Sequence, residues 1–268
     1  MNLRITVLMA IYNCADTVSE AIESLYTQTF QNFKLVLCDD GSTDDTYLIA
    51  QQYANKYDNI ILLRNDTNKK LAYSLNRCLE YADTEYVARM DGDDISLPKR
   101  FETQIHFLDN HPEYALVSTG MIRFDETGDW GVSLLQEKPT KIDFRKGTPH
   151  AHAPSMIRTE IIKEVGGYTV DKLLERGQDY YLWYKIYKKG YMGYNIQQPL
   201  YKMRDDQKAI NRRTVKSRIN SFKIKRKVMK ELGVRHSLFF ALPDIIKIFI
   251  PNFIMQIIRK RRMEMKNK

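Results

Sequence analysis

Four short apolar segments alternate with helix-like segments in the first 100 residues, and this alternation limits the folds open to the chain. The apolar segments are RITVLMAIYN from Arg4, FKLVLCDD from Phe33, NIILLRND from Asn59 and YVARMD from Tyr86. Between them apolar residues recur at helical spacing, as they do over residues 15–29. The alternation predicts βαβ units in a mostly parallel sheet flanked by helices, and such sheets bind ligands beyond the carboxyl ends of their strands.

The following segments extend this α/β pattern to residue 205. FETQIHFLDN predicts a helix that stops before Pro112, and YALVSTGMIRFDETGDWG predicts two strands around a turn at the edge of the sheet. IIKEVGG predicts a helix closed by glycine, and Asp179 opens the next predicted helix. We therefore expect one domain over residues 1–205, followed by a basic, amphipathic helical tail over residues 206–268.

Charge is spread unevenly along the chain. Residues 212–268 contain 17 Lys and Arg but only 3 Asp and Glu, whereas the whole chain has a formal charge of +9, so the part before residue 212 is net acidic. This asymmetry predicts an anionic membrane surface or another polyanion as the partner of the tail, and it disfavours a uniformly basic nucleic-acid binder.

The apolar part of the tail favours an interfacial helix over a membrane-spanning one. It contains Phe239, Phe240, Ile245, Ile248, Phe249 and Phe253, but it is interrupted by Pro243, Asp244, Lys247 and Pro251 and closed by RKRR. Two prolines and two charges suit a helix that lies on the membrane surface. Packing of the same apolar stripe on the domain over residues 1–205 or on a second subunit is the alternative.

Cysteine usage predicts a reducing compartment. The three cysteines, Cys14, Cys38 and Cys78, form no CxxC pair, and this favours neither a disulfide framework nor a zinc site. The cysteines therefore favour a cytoplasmic protein. The basic, amphipathic tail adds the expectation that it lies at the inner face of the cell membrane.

Two clusters of aspartate follow predicted strands. Asp91, Asp93 and Asp94 lie within four residues, so their charges repel unless a cation or hydrogen-bond donors neutralise them. Oxygen ligands beside open positions suit Mg²⁺ or Mn²⁺ shared with a substrate phosphate, whereas a turn cluster explains one aspartate better than three. Asp39 and Asp40 suit hydrogen bonds from a base or a ribose, and a helix cap explains them about as well.

Six motifs in a fixed order carry a resemblance to a known family. They are TVLMAIYN, LCDDGSTDDT, NKKLAYSLN, YVARMDGDDISLPKRFETQ, HAPSMIRTEIIKEVGGY and QDYYLWYKIYKKGY, and they cover roughly residues 3–205. In this order the chain resembles the inverting nucleotide-sugar glycosyltransferases of family 2, which have the GT-A fold. Several ordered motifs are more specific than a lone DxD. ARMDGDD, together with YKMRDD and the later RR pair, is similar to bacterial enzymes that build capsular, exopolysaccharide or O-antigen units on a lipid carrier.

The resemblance assigns donor and metal sites. It implies that Ala10 and Tyr12 line the nucleotide and that Asp39 and Asp40 bind the base, usually uracil. It places Lys69 and Lys70 near the diphosphate, although the usual N-x-G reads NKK here. It gives Asp91 and Asp93 to the ribose and donor, and Asp93 and Asp94 to a Mn²⁺ or Mg²⁺ ion.

The resemblance also assigns the catalytic base, whereas it assigns no role to two nearby histidines. Asp179 matches the general base of the family's Glu-Asp pair, but the first member of that pair is Gln178 here; helix capping is the structural alternative for Asp179. His150, His152 and Trp183 are candidate acceptor or phosphate contacts, and Trp183 also suits core packing.

These expectations describe a metal-dependent glycosyltransferase that is associated with a membrane. It would pass a hexose-type sugar from a nucleoside diphosphate, with UDP expected, to a lipid-linked glycan in polysaccharide synthesis, without nucleic acid as a partner. A sugar nucleotidyltransferase is disfavoured because no glycine-rich basic loop follows the first strand. A polyanion-binding protein that uses the tail is the alternative outside enzymes.

Overall fold

A computed structural model describes residues 3–205, 214–246 and 250 of the chain. The strands in chain order are β1 (Ile5–Ile11), β2 (Phe33–Asp39), β3 (Ile60–Arg64), β4 (Tyr86–Asp91), β5 (Ile95–Ser96), β6 (Tyr114–Asp125), β7 (Gly128–Ser133), β8 (Met156–Arg158) and β9 (Met192–Arg204). The α-helices are α1 (Val18–Tyr26), α2 (Thr46–Lys56), α3 (Leu71–Glu80), α4 (Arg100–Asn110), α5 (Thr159–Glu164), α6 (Gln178–Lys188), α7 (Val215–Glu231) and α8 (Ser237–Ile246). Short 3-10 helices span Lys141–Lys146 and Lys172–Leu174.

The strands form one sheet in the order β3-β2-β1-β4-β8-β6-β9-β5, with β7 paired to β6. The half made of β3, β2, β1 and β4 is entirely parallel, as the strand-helix alternation predicts. Beyond it, β8 runs antiparallel to both β4 and β6. The predicted placement of the hairpin at the sheet edge is wrong for its first strand. That strand, β6, is largely buried and lies between β8 and β9.

Helices cover both faces of the sheet because alternate residues of each strand point to opposite sides. Along β1, Val7 and Met9 belong to one core, which includes α1 and α4, whereas Leu8 belongs to the core on the other face. The second core includes residues from α3 and α6. The α/β character of the prediction is confirmed.

The helix α7 of the predicted tail packs on the second core. Ile224, Val228 and Met229 are buried there, and the Lys188 Nζ atom of α6 lies 2.7 Å from a carboxylate oxygen of Glu231. The apolar face of α7 therefore contacts the domain formed by residues 3–205. In the apolar stripe, for which packing was the alternative, Phe240 of α8 also packs against the second core. The division at residue 205 stays a prediction. None of the described helices is both long and apolar enough to cross a membrane.

Candidate active site

The carboxyl ends of β2, β1 and β4 lie side by side. The space beyond such strand ends, called the cleft below, is where sheets of this kind bind ligands. In register, Ala10 of β1 lies between Cys38 of β2 and Asp91 of β4. Tyr12 follows β1 directly and is 45% exposed, so its ring is available to a ligand. The two positions predicted to line a nucleotide thus lie beside both aspartate clusters.

Two loops beside Tyr12 hold each other in place. The backbone N–H of Asn13 donates to Ser42 Oγ at 3.0 Å, and the Asn13 side-chain oxygen accepts from the backbone N–H of Thr43 at 2.9 Å. Gly41 precedes this loop with φ +73°, and a Cβ atom there would lie 2.8 Å from the backbone carbon of Thr67. Only glycine fits at this position, because both the backbone conformation and the available space exclude a side chain.

Asp40 is held by four hydrogen bonds from this chain. Its oxygens accept from Asn65 Nδ2 at 2.7 Å, from the N–H groups of Lys69 and Lys70 at 2.8 and 2.9 Å, and from Ser74 Oγ at 2.9 Å. A carboxylate has about four acceptor positions. Three of these bonds end on Oδ1 and only the bond from Lys70 ends on Oδ2, so a contact between Asp40 and a base would use Oδ2 or replace one of these bonds.

Asp39 is fully buried and holds the turn that follows β2. Its carboxylate accepts from the backbone N–H of Ser42 at 3.2 Å, and Arg64 Nε lies 3.4 Å from Asp39 Oδ2. Both members of the first aspartate cluster thus have partners within the chain, as the capping alternative expects. Their predicted contact with the base stays a prediction.

Lys70 adopts a backbone conformation that glycine favours. Its φ and ψ are +75° and 160°, and it is the residue immediately before α3. A residue with a side chain is held in this region at a cost of about 1–3 kcal/mol. The lysine stands where the family's N-x-G pattern has glycine, and its backbone N–H donates to Asp40.

The turn Asp91–Asp94 is fixed from behind by the end of β9. The backbone N–H of Arg204 donates to Asp94 Oδ1 at 2.8 Å, and Arg204 Nε donates to the backbone oxygen of Asp93 at 3.0 Å. The Tyr201 hydroxyl, within the core, accepts from the backbone N–H of Asp91 at 3.2 Å and also bonds Asp94. Burial, followed by the charges of Asp91 and Asp93, raises the pKa of Asp94 well above its usual range.

Asp91 is a partly exposed member of this cluster, and it has a partner within the chain. Its side chain is 33% exposed and pairs with the buried guanidinium group of Arg89. Burial has the largest single effect and alone would lower the pKa of Arg89, but the charge and hydrogen bond of Asp91, together with Tyr168 and Tyr201, outweigh it and raise the pKa. The charge that the aspartate cluster requires is thus partly supplied by Arg89 itself.

The residues of the turn fit a metal ion that is shared with a substrate, and they do not fit a site built from protein alone. Within the described ranges, no group of three His, Cys, Asp or Glu side chains could hold a metal ion. Asp94 is only 3% exposed, whereas Asp91 and Asp93 are partly exposed at the cleft. One or two carboxylates together with substrate phosphates is a usual ligand set for Mg²⁺. The metal role of Asp93 and Asp94 stays a prediction, and Asp94 would have to exchange its present bonds to serve.

Asp179 lies in the first turn of α6, close enough to Asp91 to be affected by its charge. Burial raises the pKa of its carboxyl group; the N–H groups of Tyr180 and Asp179 oppose the rise, and the charge of Asp91 adds to it. No cation pairs with Asp179 among the residues described. The Oε1 atom of the adjacent Gln178 is buried and has no hydrogen-bond partner in the described part of the chain, so it can accept from a substrate hydroxyl.

The two histidines have different surroundings. His150 is fully buried between Asn195 and Tyr187, at 2.8 and 2.9 Å, and burial lowers its pKa to about 4. His152 is partly exposed, and its Nε2 atom lies 2.9 Å from the Tyr168 hydroxyl. Burial, with the nearby charge of Arg89, lowers the pKa of His152 to about 3, so this side chain is neutral. The charge of Asp91 acts on the pKa of His152 in the opposite direction, so His152 is the histidine close to Asp91.

Trp183 lies in the core. It is fully buried, and its indole N–H donates to the backbone oxygen of His150 at 3.2 Å. The packing role is the one that this position fits, because a sugar contact would require an exposed ring.

Sequence patterns did not single out Arg89, Tyr201 and Arg204. Arg89 could have been found from the sequence, because a charged residue within the apolar strand YVARMD needs a buried partner. Tyr201 and Arg204 belong to β9. They lie beside the turn after β4 because β9 pairs with β5, where Ser96 lies opposite Tyr201. That pairing spans about a hundred residues and leaves no local pattern.

Residues 6–166 match the family model described as Glycosyl transferase family 2. The chain belongs to this family. It is 41% identical to the putative glycosyltransferase EpsE of Bacillus subtilis over 263 residues, which are 97% of this chain and 94% of EpsE. It is 29% identical over 186 residues to WfaP of Escherichia coli, covering 69% of this chain and 71% of WfaP, which is named UDP-Glc:alpha-D-GlcNAc-diphosphoundecaprenol beta-1,3-glucosyltransferase.

The fold is also similar to solved structures of the family's fold class. S. aureus TarS residues 1–349 in complex with UDP-GlcNAc superpose with a TM-score of 0.71 at 20% identity, over 91% of this chain and 71% of that chain. The predicted GT-A fold and the predicted glycosyltransferase class are therefore confirmed.

Proposed function

We propose that this glycosyltransferase moves a hexose-type sugar with inversion from UDP-sugar to a lipid-linked glycan during synthesis of a cell-surface polysaccharide. The observation that carries the proposal is that Asp91, at the end of β4, lies close enough to Asp179 of α6 for its charge to raise the pKa of Asp179. In this proposal Asp91 contacts the nucleotide-sugar, and Asp179 takes the proton of the acceptor hydroxyl.

The chemistry is a single displacement. The acceptor oxygen attacks the anomeric carbon and forms the new glycosidic bond, while the acceptor proton passes to Asp179. The bond between the anomeric carbon and the diphosphate oxygen breaks, and its electron pair leaves with the nucleoside diphosphate. A raised pKa suits Asp179 to this task, because a base works best when its pKa approaches the working pH.

The leaving diphosphate needs positive charge. Mn²⁺ or Mg²⁺ would supply it by neutralising charge on the phosphate oxygens, with Asp93 and Asp91 as the exposed carboxylates that would hold the ion. Lys69 and Lys70 are exposed at the start of α3, so either ammonium group can approach the same diphosphate.

Names of relatives support the substrate classes. TarS binds UDP-GlcNAc, and WfaP is named for a UDP-glucose donor and a GlcNAc-diphosphoundecaprenol acceptor. EpsE, the relative with 41% identity, is named a putative glycosyltransferase without a stated substrate. A UDP-sugar and a lipid diphosphate acceptor are therefore the first substrates to test.

The helix α8 supports a peripheral place on the cytoplasmic face of the membrane. Leu238, Leu242 and Ile246 recur every four residues and are 50%, 41% and 58% exposed, and Phe239 beside them is 68% exposed. Exposed basic residues of the preceding α7 would contribute about 1 kcal/mol each near an anionic membrane surface. The predicted contacts of Ile248, Phe249, Phe253 and RKRR lie outside the described residues.

The test is the thermal stability of the purified chain with UDP, GDP, CDP or dTDP, each with Mn²⁺ or with EDTA. We expect UDP with Mn²⁺ to stabilise the chain by about 2.7 kcal/mol at a hundred times the dissociation constant. Asp93→Asn should lose the metal-dependent part of this shift. Stabilisation by another nucleotide would replace UDP as the donor class, and no shift with any nucleotide would contradict the proposal.

A further inference from the structure

The two histidines of the segment PHAH differ in how many of their ring nitrogens have a partner. In His150 both nitrogens do, Nδ1 with Asn195 Oδ1 at 2.8 Å and Nε2 with the Tyr187 hydroxyl at 2.9 Å. In His152 the Nε2 atom has the Tyr168 hydroxyl, and the Nδ1 atom has no partner among the residues described. The His152 side chain is also partly exposed. Its Nδ1 atom is therefore available to a ligand.

Strand pairing brings His152 to the end of β4. The strand β8 runs antiparallel to β4, and the backbone N–H of Arg89 donates to the backbone oxygen of Ser155 at 3.0 Å. Because the two strands run in opposite directions, the residues before Ser155 continue past the carboxyl end of β4. Burial and then the charge of Arg89 lower the pKa of His152, and the charge of Asp91 opposes them. His152 thus lies at the same strand end as Asp91.

Aromatic rings connect His152 with the proposed base. Its ring meets the ring of Tyr168 edge to face, with 5.5 Å between centroids, and that of Trp183 with 6.1 Å. Trp183 follows Asp179 by four residues, about one turn of α6. Burial raises the pKa of Tyr168; the guanidinium group of β4 opposes the rise, and the charges of Asp91 and Asp179 add to it. The pair of His152 and Tyr168 therefore lies close to both carboxylates.

Tyr168 fixes which nitrogen of His152 carries the proton. The tyrosine is held by Asn76, whose side chain bonds both the backbone N–H and the backbone oxygen of Tyr168, at 2.8 and 2.7 Å. Tyr168 is 2% exposed, and within the described part of the chain its hydroxyl has only His152 Nε2 as a partner. A buried hydroxyl proton needs an acceptor, so the Tyr168 O–H donates to Nε2. The proton of the neutral imidazole then lies on Nδ1.

We infer that His152 is a specificity-determining residue whose Nδ1–H donates to a hydroxyl group of the transferred sugar, and that Tyr168 is the positioning residue that keeps the proton on Nδ1. The inference rests on the proposed function, because the anomeric carbon must lie between the diphosphate near Asp91 and the acceptor oxygen near Asp179. An uncharged N–H donor suits a sugar hydroxyl, whereas phosphate oxygens favour cations. A sugar without that hydroxyl leaves the donor unpaired and is selected against.

The test measures binding of UDP and of UDP-sugars to the full chain with Mn²⁺ by titration calorimetry. The sugar probes are UDP-glucose, UDP-galactose and their N-acetylamino counterparts, and the tightest of them is used with the variants. Glutamine at position 152 reaches the place of Nε2 and leaves the place of Nδ1 empty. We expect His152→Gln to weaken the UDP-sugar about tenfold and to change UDP less than about twofold, because only the sugar loses a hydrogen bond.

An isosteric variant tests the Nδ1 atom itself. The amide nitrogen of asparagine and Nδ1 of histidine are both bonded to Cγ, so His152→Asn keeps a donor at that place. This variant should bind the UDP-sugar within about threefold of the original chain. His106→Gln makes the first substitution at an exposed histidine of α4 and should change either affinity less than about twofold. Thermal unfolding of each variant checks that the fold is kept.

The positioning role of Tyr168 has its own readout. Nitrogen-15 spectra of the histidine rings should show His152 with its proton on Nδ1 in the original chain, and Tyr168→Phe should lose this tautomer. The same variant should weaken the UDP-sugar by about twofold to tenfold and leave UDP unchanged. A proton found on Nε2 in the original chain would overturn the inference.

Donor analogues that each lack one hydroxyl group locate the contact. One of these deoxy analogues should bind the original chain about tenfold more weakly than the complete UDP-sugar, and His152→Gln should abolish that difference. If every analogue keeps its difference in the variant, His152 contacts no sugar hydroxyl.

Other outcomes also overturn the inference. Equal losses of UDP and UDP-sugar affinity in His152→Gln would do so, as would unchanged UDP-sugar affinity. Equal losses in the Gln and Asn variants would exclude a donor at Nδ1. Failure of UDP itself to bind would contradict the proposed function separately, and the comparison is then made with the nucleotide that stabilises the chain and with its sugar esters.

Discussion

The two aspartate clusters at the strand ends look alike in sequence but differ in what surrounds them. Both follow buried strands that flank β1 in the sheet. In the first cluster Asp40 accepts four hydrogen bonds from its own chain and is 4% exposed. In the second cluster Asp94 is similarly buried, but the Asp91 side chain is 33% exposed toward the cleft.

The difference is between carboxylates that hold loops and carboxylates that remain available to a ligand. Asp40 joins the N–H groups before α3 to the end of β2, and Asp94 joins β9 to the turn after β4. Each of these two would leave several buried donors without an acceptor if it moved to a substrate. Asp179 has no cation partner among the residues described, and Asp91, although it pairs with the buried Arg89, is 33% exposed. These two are the residues that we expect to act in the reaction.

The largest expected effect is on turnover in Asp179→Asn. Loss of a general base typically lowers the rate by about 10²–10⁴-fold. UDP binding should persist, because Asp179 is proposed to contact the acceptor and not UDP. Steady-state rates with a UDP-sugar and UDP titrations give the two values. A variant with near-normal turnover would place Asp179 among the structural carboxylates.

Asp40→Asn and Asp93→Asn test the comparison directly. We expect Asp40→Asn to lower the free energy of unfolding by about 3 kcal/mol, because an amide cannot accept all four hydrogen bonds. Asp93→Asn should lower it by about 1 kcal/mol or less. Urea denaturation of both variants provides the measurement. A reversed order would mean that the exposed turn, and not the first cluster, holds the fold.

The pH dependence of the reaction should follow Asp179. Burial raises its pKa in the folded protein, so the base becomes protonated, and turnover falls, at a pH above the ordinary value of about 3.9. Stability changes in the opposite sense. A carboxyl group with a raised folded pKa destabilises the fold as pH rises through that pKa. Asp179→Asn should therefore be at least as stable as the original chain at neutral pH, and lower stability there would contradict the assigned direction.

Local sequence patterns predicted much of the fold and part of the site. The strand-helix alternation identified β1 to β4 and the helices between them, because apolar periodicity and turn residues are local. It also brought the two aspartate clusters to one edge, since parallel strands end together. It did not place β6 inside the sheet, because strand order depends on pairing between distant segments.

The missing parts of the site are also non-local. Arg204 contacts the turn after β4 from more than a hundred residues away, and α7 reaches Gly177 from a segment that reads as a separate tail. Sequence alone could not tell that Asp40 accepts four hydrogen bonds, since its donors come from Asn65, from the loop before α3 and from Ser74 of α3. The count of donors around a carboxylate is a property of packing.

The smallest expected effect concerns the loop that holds Asp40. Lys70→Gly should raise the free energy of unfolding by about 1 kcal/mol, since glycine adopts φ +75° and ψ 160° without steric strain. The backbone N–H that bonds Asp40 is kept, so the first cluster remains intact. If the ammonium group contacts the diphosphate, the same variant should bind UDP less tightly despite its greater stability. Lys69→Gly removes the neighbouring charge without relieving this strain, so it is the matched control. A gain in stability with unchanged UDP affinity would assign Lys70 to the loop alone.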